Sequence, residues 1–88
     1  MTSTSQAREI ADRLLLHILG DHDLLGDFLT RGGIEPAQLG AVVNGPEIHE
    51  FVLDFVTESD DRIIACAGAL GIGAGEIGMA ARLLARRD

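Results

Sequence analysis

Apolar residues recur every three or four positions along this chain, in short stretches that glycines, prolines and polar residues interrupt. This spacing places the apolar side chains of each stretch on one face of a helix, and no stretch shows the alternation of a β-strand. The first stretch predicts a helix over about residues 6–19, which Gly20 ends. Ser3 with Gln6, or Ser5, can cap its start.

The other stretches are bounded in the same way by N-cap residues, by proline at a first helical position and by closing glycines. They predict five more helices, which start near Asp21 or Asp23, Pro36, Pro46, Ser59 and Gly75. The last of these helices runs to about Arg86. We therefore predict one all-α domain over residues 6–88, a compact bundle of five or six short helices, after a disordered tail at residues 1–5.

One hydrophobic core is all that 88 residues can build, and it must be largely aliphatic because the chain has three Phe and no Tyr or Trp. The fourth helix is expected to place Phe51 on its apolar face, together with Ile48 and Val52. The residues expected in the core are Ile10, Leu14, Leu15, Ile18, Leu25, Phe28, Leu29, Leu39, Val52, Phe55, Val56, Ile63, Ala67, Leu70, Ile72, Ile77 and Leu83.

The two halves of the chain resemble each other when one is shifted by 38 residues, which gives seven identities. One interpretation is an internal duplication, with two similar helical triplets packed into one bundle. The alternative is that short helices with similar caps match by chance, and both remain open. The identical pairs are Glu9 and Glu47, Ile10 and Ile48, Leu15 and Leu53, Asp23 and Asp61, Gly33 and Gly71, Ile34 and Ile72, and Gly40 and Gly78.

Fourteen acidic residues against seven arginines give a net charge of −7. A field of this sign repels phosphate backbones and anionic lipids, so it disfavours nucleic acid as a partner and favours a basic protein. The candidate surface for such a partner is the acidic ridge of the fourth helix, Glu47, Glu50, Asp54 and Glu58. The alternative is that these acids form only a solvated helix face.

The sequence favours a cytoplasmic protein without a membrane span. Its most apolar stretch, residues 63–75, is shorter than the roughly 20 residues that a spanning helix needs. No apolar leader is visible at the polar start, and Cys66 has no second cysteine for a disulfide. Cys66 falls on or near a buried stripe, where its pKa should be raised and its side chain should act as a small hydrophobe.

No residue pattern predicts catalysis, a metal site or a cofactor, so we expect a protein that is not an enzyme. The three histidines, His17, His22 and His49, lack the helical spacing of metal ligands, since Gly20 breaks the helix between the first two. Residues 73–78 match the dinucleotide fingerprint G-x-G-x-x-G, but no strand precedes them and no second strand could follow.

The turn Gly71-Ile72-Gly73 gives the sharpest hint of a function. It is similar to the hairpin of a helix-hairpin-helix motif, in which glycines let backbone N–H groups approach a phosphate. Gly33-Ile34 could be its degenerate counterpart in the first half. Glu76 and the net charge oppose nucleic-acid binding here, and the alternative is a structural turn with glycine as the helix C-cap.

A succession of motifs spanning nearly the whole chain resembles a known family. An apolar helix is followed by residues 20–29, GDHDLLGDFL, then by GIEPAQL at residues 33–39, by FVLDF at residues 51–55 and by a Leu70-Gly71-Ile72 turn. This pattern is similar to that of the small bacterial family filed as domain of unknown function 3572. The resemblance implies an all-helical cytoplasmic protein of unassigned function and supplies no catalytic or binding residues.

Together these features lead us to expect a small protein-interaction or regulatory module with a basic protein partner. The alternative function is nucleic-acid binding through Gly71, Ile72 and Gly73. A homodimer remains open.

Overall fold

Six α-helices and one 3₁₀ turn form residues 3–85, the part of the chain that the computed structural model describes. The elements are α1 (Thr4–Leu19), α2 (His22–Gly32), the 3₁₀ turn (Pro36–Gln38), α3 (Leu39–Val43), α4 (Ile48–Thr57), α5 (Asp60–Leu70) and α6 (Ala74–Ala85). The described residues contain no strand, and the predicted all-α bundle is confirmed. Among these helices, none alone has the length and apolar composition to cross a membrane. α5 and α6 have that length and apolar composition only when they are taken together, and the two helices are bent by 109° relative to each other.

Side-chain caps that the sequence predicted fix the starts of α1, α2 and α5. Ser3 and Gln6 form a reciprocal capping box, with the Gln6 amide donating to Ser3 Oγ at 3.2 Å. Asp21 and Ser59 accept the amides three residues further on, at 3.0 and 3.3 Å. α1 begins at Thr4, two residues before the predicted start, so Thr4 and Ser5 of the predicted tail lie in its first turn. Residues 1 and 2 of that tail lie outside the described residues.

One predicted helix start is wrong. Pro46 does not open α4, because the amides of Asn44 and Gly45 still donate to carbonyls of α3 and the chain turns before it becomes helical again at Ile48. α6 begins at Ala74, within one residue of the start predicted near Gly75, and Gly73 and Glu76 cap it. The predicted end of this helix at Arg86 lies outside the described residues.

The core lies between α1, α4 and α6, with α2 and α5 packed at its sides. Most of the predicted core residues are buried, and Leu84, in place of Leu83, is the buried leucine of α6. Phe51, which was predicted on the apolar face of the fourth helix, is exposed. The buried residues of the core are Ala7, Ile10, Ala11, Leu14, Leu15, Ile18, Phe28, Ile48, Val52, Leu53, Phe55, Val56, Cys66, Ala67, Ile77, Ala80 and Leu84. The predicted core residues that are only partly buried are Leu25, Leu29, Leu39, Ile63, Leu70, Ile72 and Leu83.

The helix boundaries repeat with the 38-residue shift seen in the sequence. α2 and α5 each span 11 residues and are displaced by that shift at both ends. α1 and α4 end at equivalent residues, and the 3₁₀ turn and α6 begin at equivalent residues. The first triplet is α1, α2 and the segment from the 3₁₀ turn to α3, and the second is α4, α5 and α6. The two triplets have the same order of elements and matching boundaries, which supports the duplication beyond the seven identities.

The turn after the second helix of each triplet has the same geometry. Gly33 and Gly71 have φ of 63° and 71°, a left-handed conformation that favours glycine. The following amide then donates back to its helix, from Ile34 to Leu29 O at 2.9 Å and from Ile72 to Ala67 O at 3.0 Å. These paired 6→1 bonds are Schellman motifs, in which glycine satisfies the last carbonyls of a helix.

Candidate partner-binding surface

Phe51 lies on the outer face of α4 with 43% of its surface exposed, at the meeting point of three surface depressions. Two of them, of about 250 and 470 Å³, share Gly32, Ile34 and Phe51 among their lining residues. We call these two together the Phe51 groove. The third depression, of about 270 Å³, lies on the other side of Phe51, towards Leu84.

The 38-residue correspondence between the two halves shows that helical cover is missing beside α4. α1 has 16 residues and α6 has 12, but their counterparts α4 and the segment from Pro36 to Val43 are shorter. With a shift of only 38 residues, the stretch 42–47 corresponds both to the end of the third helix and to the first turns of α1. Residues 44–47 of this stretch form a turn instead, and the surface beside α4 lacks the helical cover that α6 supplies in the second half.

The floor of the groove is formed by packed aromatic side chains. Phe28 and Phe55 are buried beneath it, with their ring centroids 5.3 Å apart in an edge-to-face arrangement. The Arg62 guanidinium lies 4.0 Å from the centre of the Phe55 ring and donates to the Phe55 carbonyl. These contacts join α2, α4 and α5 at one point, so the groove is preformed in the fold.

The acidic ridge predicted from the sequence runs along this surface. Glu47 and Asp54 are exposed and line depressions on both sides of Phe51, whereas Glu50 lines only the third depression. Glu58 lies at the far end, 3.3 Å from Arg31 Nε and 3.5 Å from Arg62 Nη1. Arg31 is the one basic side chain among the described residues that line the three depressions, so the rim is predominantly negative.

Comparison with known protein families classifies the chain but assigns it no chemical activity. The model of the family described as "Protein of unknown function (DUF3572)" matches residues 4–87. The chain belongs to this family. No curated protein and no solved structure matches it. The resemblance identified in the sequence is therefore confirmed, and a function for this DUF3572 chain must be argued from its own surface.

The second predicted site of this DUF3572 chain is the turn Gly71-Ile72-Gly73, whose three backbone amides already donate hydrogen bonds within the chain. The Gly71 amide donates to Gly68 O at 3.3 Å and the Ile72 amide to Ala67 O at 3.0 Å. The Gly73 amide donates to Glu76 Oε2 at 2.9 Å. A phosphate would have to displace a carboxylate from the only one of these amides that lacks a backbone acceptor, which costs electrostatic energy.

The remaining candidates from the sequence offer no reactive arrangement. Among the described residues, no group of three His, Cys, Asp or Glu side chains could hold a metal ion. His49 instead pairs with Asp12, at 2.7 Å between Nε2 and Oδ1, and so joins α4 to α1. Residues 73–78 form the cap and first turns of α6, without the preceding strand that the dinucleotide fingerprint requires.

Cys66 is 1% exposed, as its position on the apolar stripe predicted. Burial raises the pKa of its thiol, Arg62 partly opposes this shift and Asp21 adds to it. The thiol is therefore protonated at neutral pH and packs as a small apolar side chain.

The sequence reasoning missed the exposure of Phe51, although the duplication carried a signal for it. The 38-residue shift pairs Phe51 with Arg13, an exposed residue that donates to Leu70 O at 2.7 Å at the end of α5. Position 51 therefore corresponds to a surface position in the first triplet, despite its helical spacing from Ile48 and Phe55.

Proposed function

We propose that this protein is a non-enzymatic protein-interaction or regulatory module whose partner binds at Phe51 and the acidic ridge. The observation that carries the proposal is the exposed Phe51 between preformed depressions, in a chain with only three aromatic residues. Large apolar side chains exposed in a groove are typical anchors of protein interfaces, whereas singly scattered exposed residues are not.

The charge of the ridge supports a basic protein as the partner. Glu47, Glu50, Asp54 and Glu58 all lie along one edge of α4, and the chain as a whole carries a net charge of −7. Complementary charge on a partner would speed its association and orient it on the surface. We place this interaction in the bacterial cytoplasm, a compartment that the single buried cysteine favours.

The test compares two variants with matched exposure. Phe51→Ala removes the aromatic side chain from the groove, and Met79→Ala removes a side chain of nearly equal exposure, 42%, from α6 outside the depressions. Immobilised wild type and both variants are incubated with lysate of the source cells, and the captured proteins are quantified. We expect Phe51→Ala to lose a set of proteins that wild type and Met79→Ala retain. Equal capture by all three would remove the support for this surface.

Nucleic-acid binding at Gly71-Ile72-Gly73 remains an alternative with less support, because all three amides already have acceptors. Titration of the labelled protein with a short DNA duplex at about 50 and 200 mM salt tests it, since phosphate-driven affinity falls steeply over this range. Salt-sensitive shifts at these three residues would favour this function over the interaction module.

A further inference from the structure

We infer that the Phe51 groove binds a basic amphipathic α-helix of a partner protein. The inference rests on the proposed function and specifies the structural class and charge of the partner. Three features of the described residues carry it: the interrupted third helix of the first triplet, the apolar lining of the groove and the charge of its rim.

The duplication indicates that a helix fits beside α4. In the second triplet, α6 runs for 12 residues and packs along both α1 and α4 through Ile77, Ala80 and Leu84. In the first triplet the equivalent helix stops at Val43, and the chain turns away through Gly45 and Pro46. The larger depression follows directly from this early stop, since α3, the turn and α4 line it. A helix from another protein can supply the packing that the shortened segment leaves out.

The lining of the groove suits the apolar stripe of such a helix. Ile34, Val42 and Phe51 supply apolar surface from three separate parts of the chain. Gly32 and Gly45 also line the groove and have no side chain to fill it. Helix-in-groove binding uses apolar anchors spaced three or four residues apart. The other common modes fit less well. Strand addition needs a sheet edge, which the described residues lack, and polyproline binding needs several exposed aromatic rings, whereas Phe28 and Phe55 of this groove are buried.

The rim determines the charge of the partner. Glu47 and Asp54 are exposed beside Phe51, and Glu58 already neutralises Arg31, the basic residue of the lining. An acidic helix would be repelled by this rim. A helix with Lys or Arg beside its apolar stripe would instead gain ion pairs around the apolar contact.

Two synthetic peptides of about 15 residues and identical Leu, Ala and Lys composition provide the probes. In one, Leu recurs at positions i, i+3, i+4 and i+7, and in the other the same residues are scrambled so that no apolar stripe forms. Each is titrated into the isotope-labelled full chain and followed by amide chemical shifts. We expect the amphipathic peptide to shift the amide resonances of Ile34, Val42 and Phe51. It should bind at least about tenfold more tightly than the scrambled peptide, because the scrambled peptide cannot place its apolar anchors in the groove.

Variants separate the groove from non-specific attraction. Phe51→Ala should lower the affinity of the amphipathic peptide about tenfold, and Met79→Ala should leave that affinity within about twofold of wild type. Asp54→Lys should weaken it further in low salt, whereas Glu9→Lys, on α1 outside the depressions, should have little effect. Far-UV circular dichroism verifies that each variant keeps its helices, and the exposed Asp54 provides a test even if Phe51→Ala is destabilised.

Three outcomes would overturn the inference. Equal binding of the two peptides would mean that charge alone drives association, and shifts confined to other residues would place the contact elsewhere. Concentration-dependent shifts of the groove in the protein alone would assign it to a second copy of this chain. If lysate capture depends on Phe51 but neither peptide binds, the interaction function survives and the helical partner does not. If capture is also independent of Phe51, both fail.

Discussion

Replacing two glycines of the same segment by alanine should change the stability of this protein in opposite directions. Gly68 lies inside α5 and Gly71 ends it, three residues later. A Cβ atom added at either position would meet no atom within 4 Å, so neither substitution creates a clash. The difference between them therefore lies in the backbone, which is helical at Gly68 and has a φ of 71° at Gly71.

The expected magnitudes follow from this backbone difference. Alanine inside a helix is favoured over glycine by about 0.5–1 kcal/mol, because the unfolded chain has less freedom to lose, so Gly68→Ala should stabilise the protein by that amount. A left-handed alanine costs about 1–2 kcal/mol, which exceeds the same entropic gain, so Gly71→Ala should destabilise it by about 1 kcal/mol. In a domain of this size such changes shift Tm by roughly 4–8 °C per kcal/mol.

Urea denaturation followed by circular dichroism measures both changes, and Gly33→Ala supplies an internal control. Gly33 occupies the equivalent turn of the first triplet with a φ of 63° and open space around its Cβ position. Its replacement should cost about as much as that of Gly71. If Gly71→Ala proved neutral or stabilising, the left-handed turn would not exist in solution. Losses at the two glycines that differ by more than about 1 kcal/mol would contradict their structural equivalence.

Three other predictions concern the core and its support. The chain has no Lys or Tyr, and burial raises the pKa of Cys66, so above the ordinary thiol pKa of 9.0 the unfolded state ionises first and stability should fall with rising pH. The slope should not exceed about 1.4 kcal/mol per pH unit and should vanish in Cys66→Ala, and an unchanged slope in urea titrations of that variant would exclude the thiol as its source. Phe28→Ala should lower the free energy of unfolding by about 3–5 kcal/mol, which a thermal melt would show as a lower Tm. A loss below about 1 kcal/mol would show that the Phe28–Phe55 contact is not part of the core. Arg62→Met should cost about 1–2 kcal/mol in urea denaturation through lost contacts with the Phe55 ring and carbonyl, and no loss would refute the anchoring role of the guanidinium.

Helix boundaries were predictable from the sequence where a cap and a closing glycine both mark them. α2 and α5 are such cases, since Asp21 and Ser59 open them and left-handed glycines close them. α4 was placed too early because Pro46 has the local features of a first helical residue. Its position in a turn depends on amides that still donate to α3, and that competition is not visible in local propensity.

The candidate surface was predictable only in part. Four acids with helical spacing identified one edge of α4, and the structure brings all of them to that edge. The groove itself depends on how α2 packs against α4, which brings Ile34 and Arg31 to Phe51 and to Glu58 across a long separation in sequence. Periodicity placed Phe51 on the apolar face of α4, although not among the expected core residues, because a helical spacing cannot distinguish a buried residue from one at the exposed edge of an apolar stripe.

The packing of α1 against α6 has a consequence for how the protein is made. α1 has its most extensive contacts with α6, the last of the described helices, although the two belong to different triplets. At ribosomal rates of about 5–20 residues per second, the apolar stripe of α1 waits several seconds before the helix that covers it is synthesised. The first half alone therefore leaves the apolar stripe of α1 partly uncovered, so α1 must wait for the synthesis of α6 or depend on a chaperone that shields it in the interval.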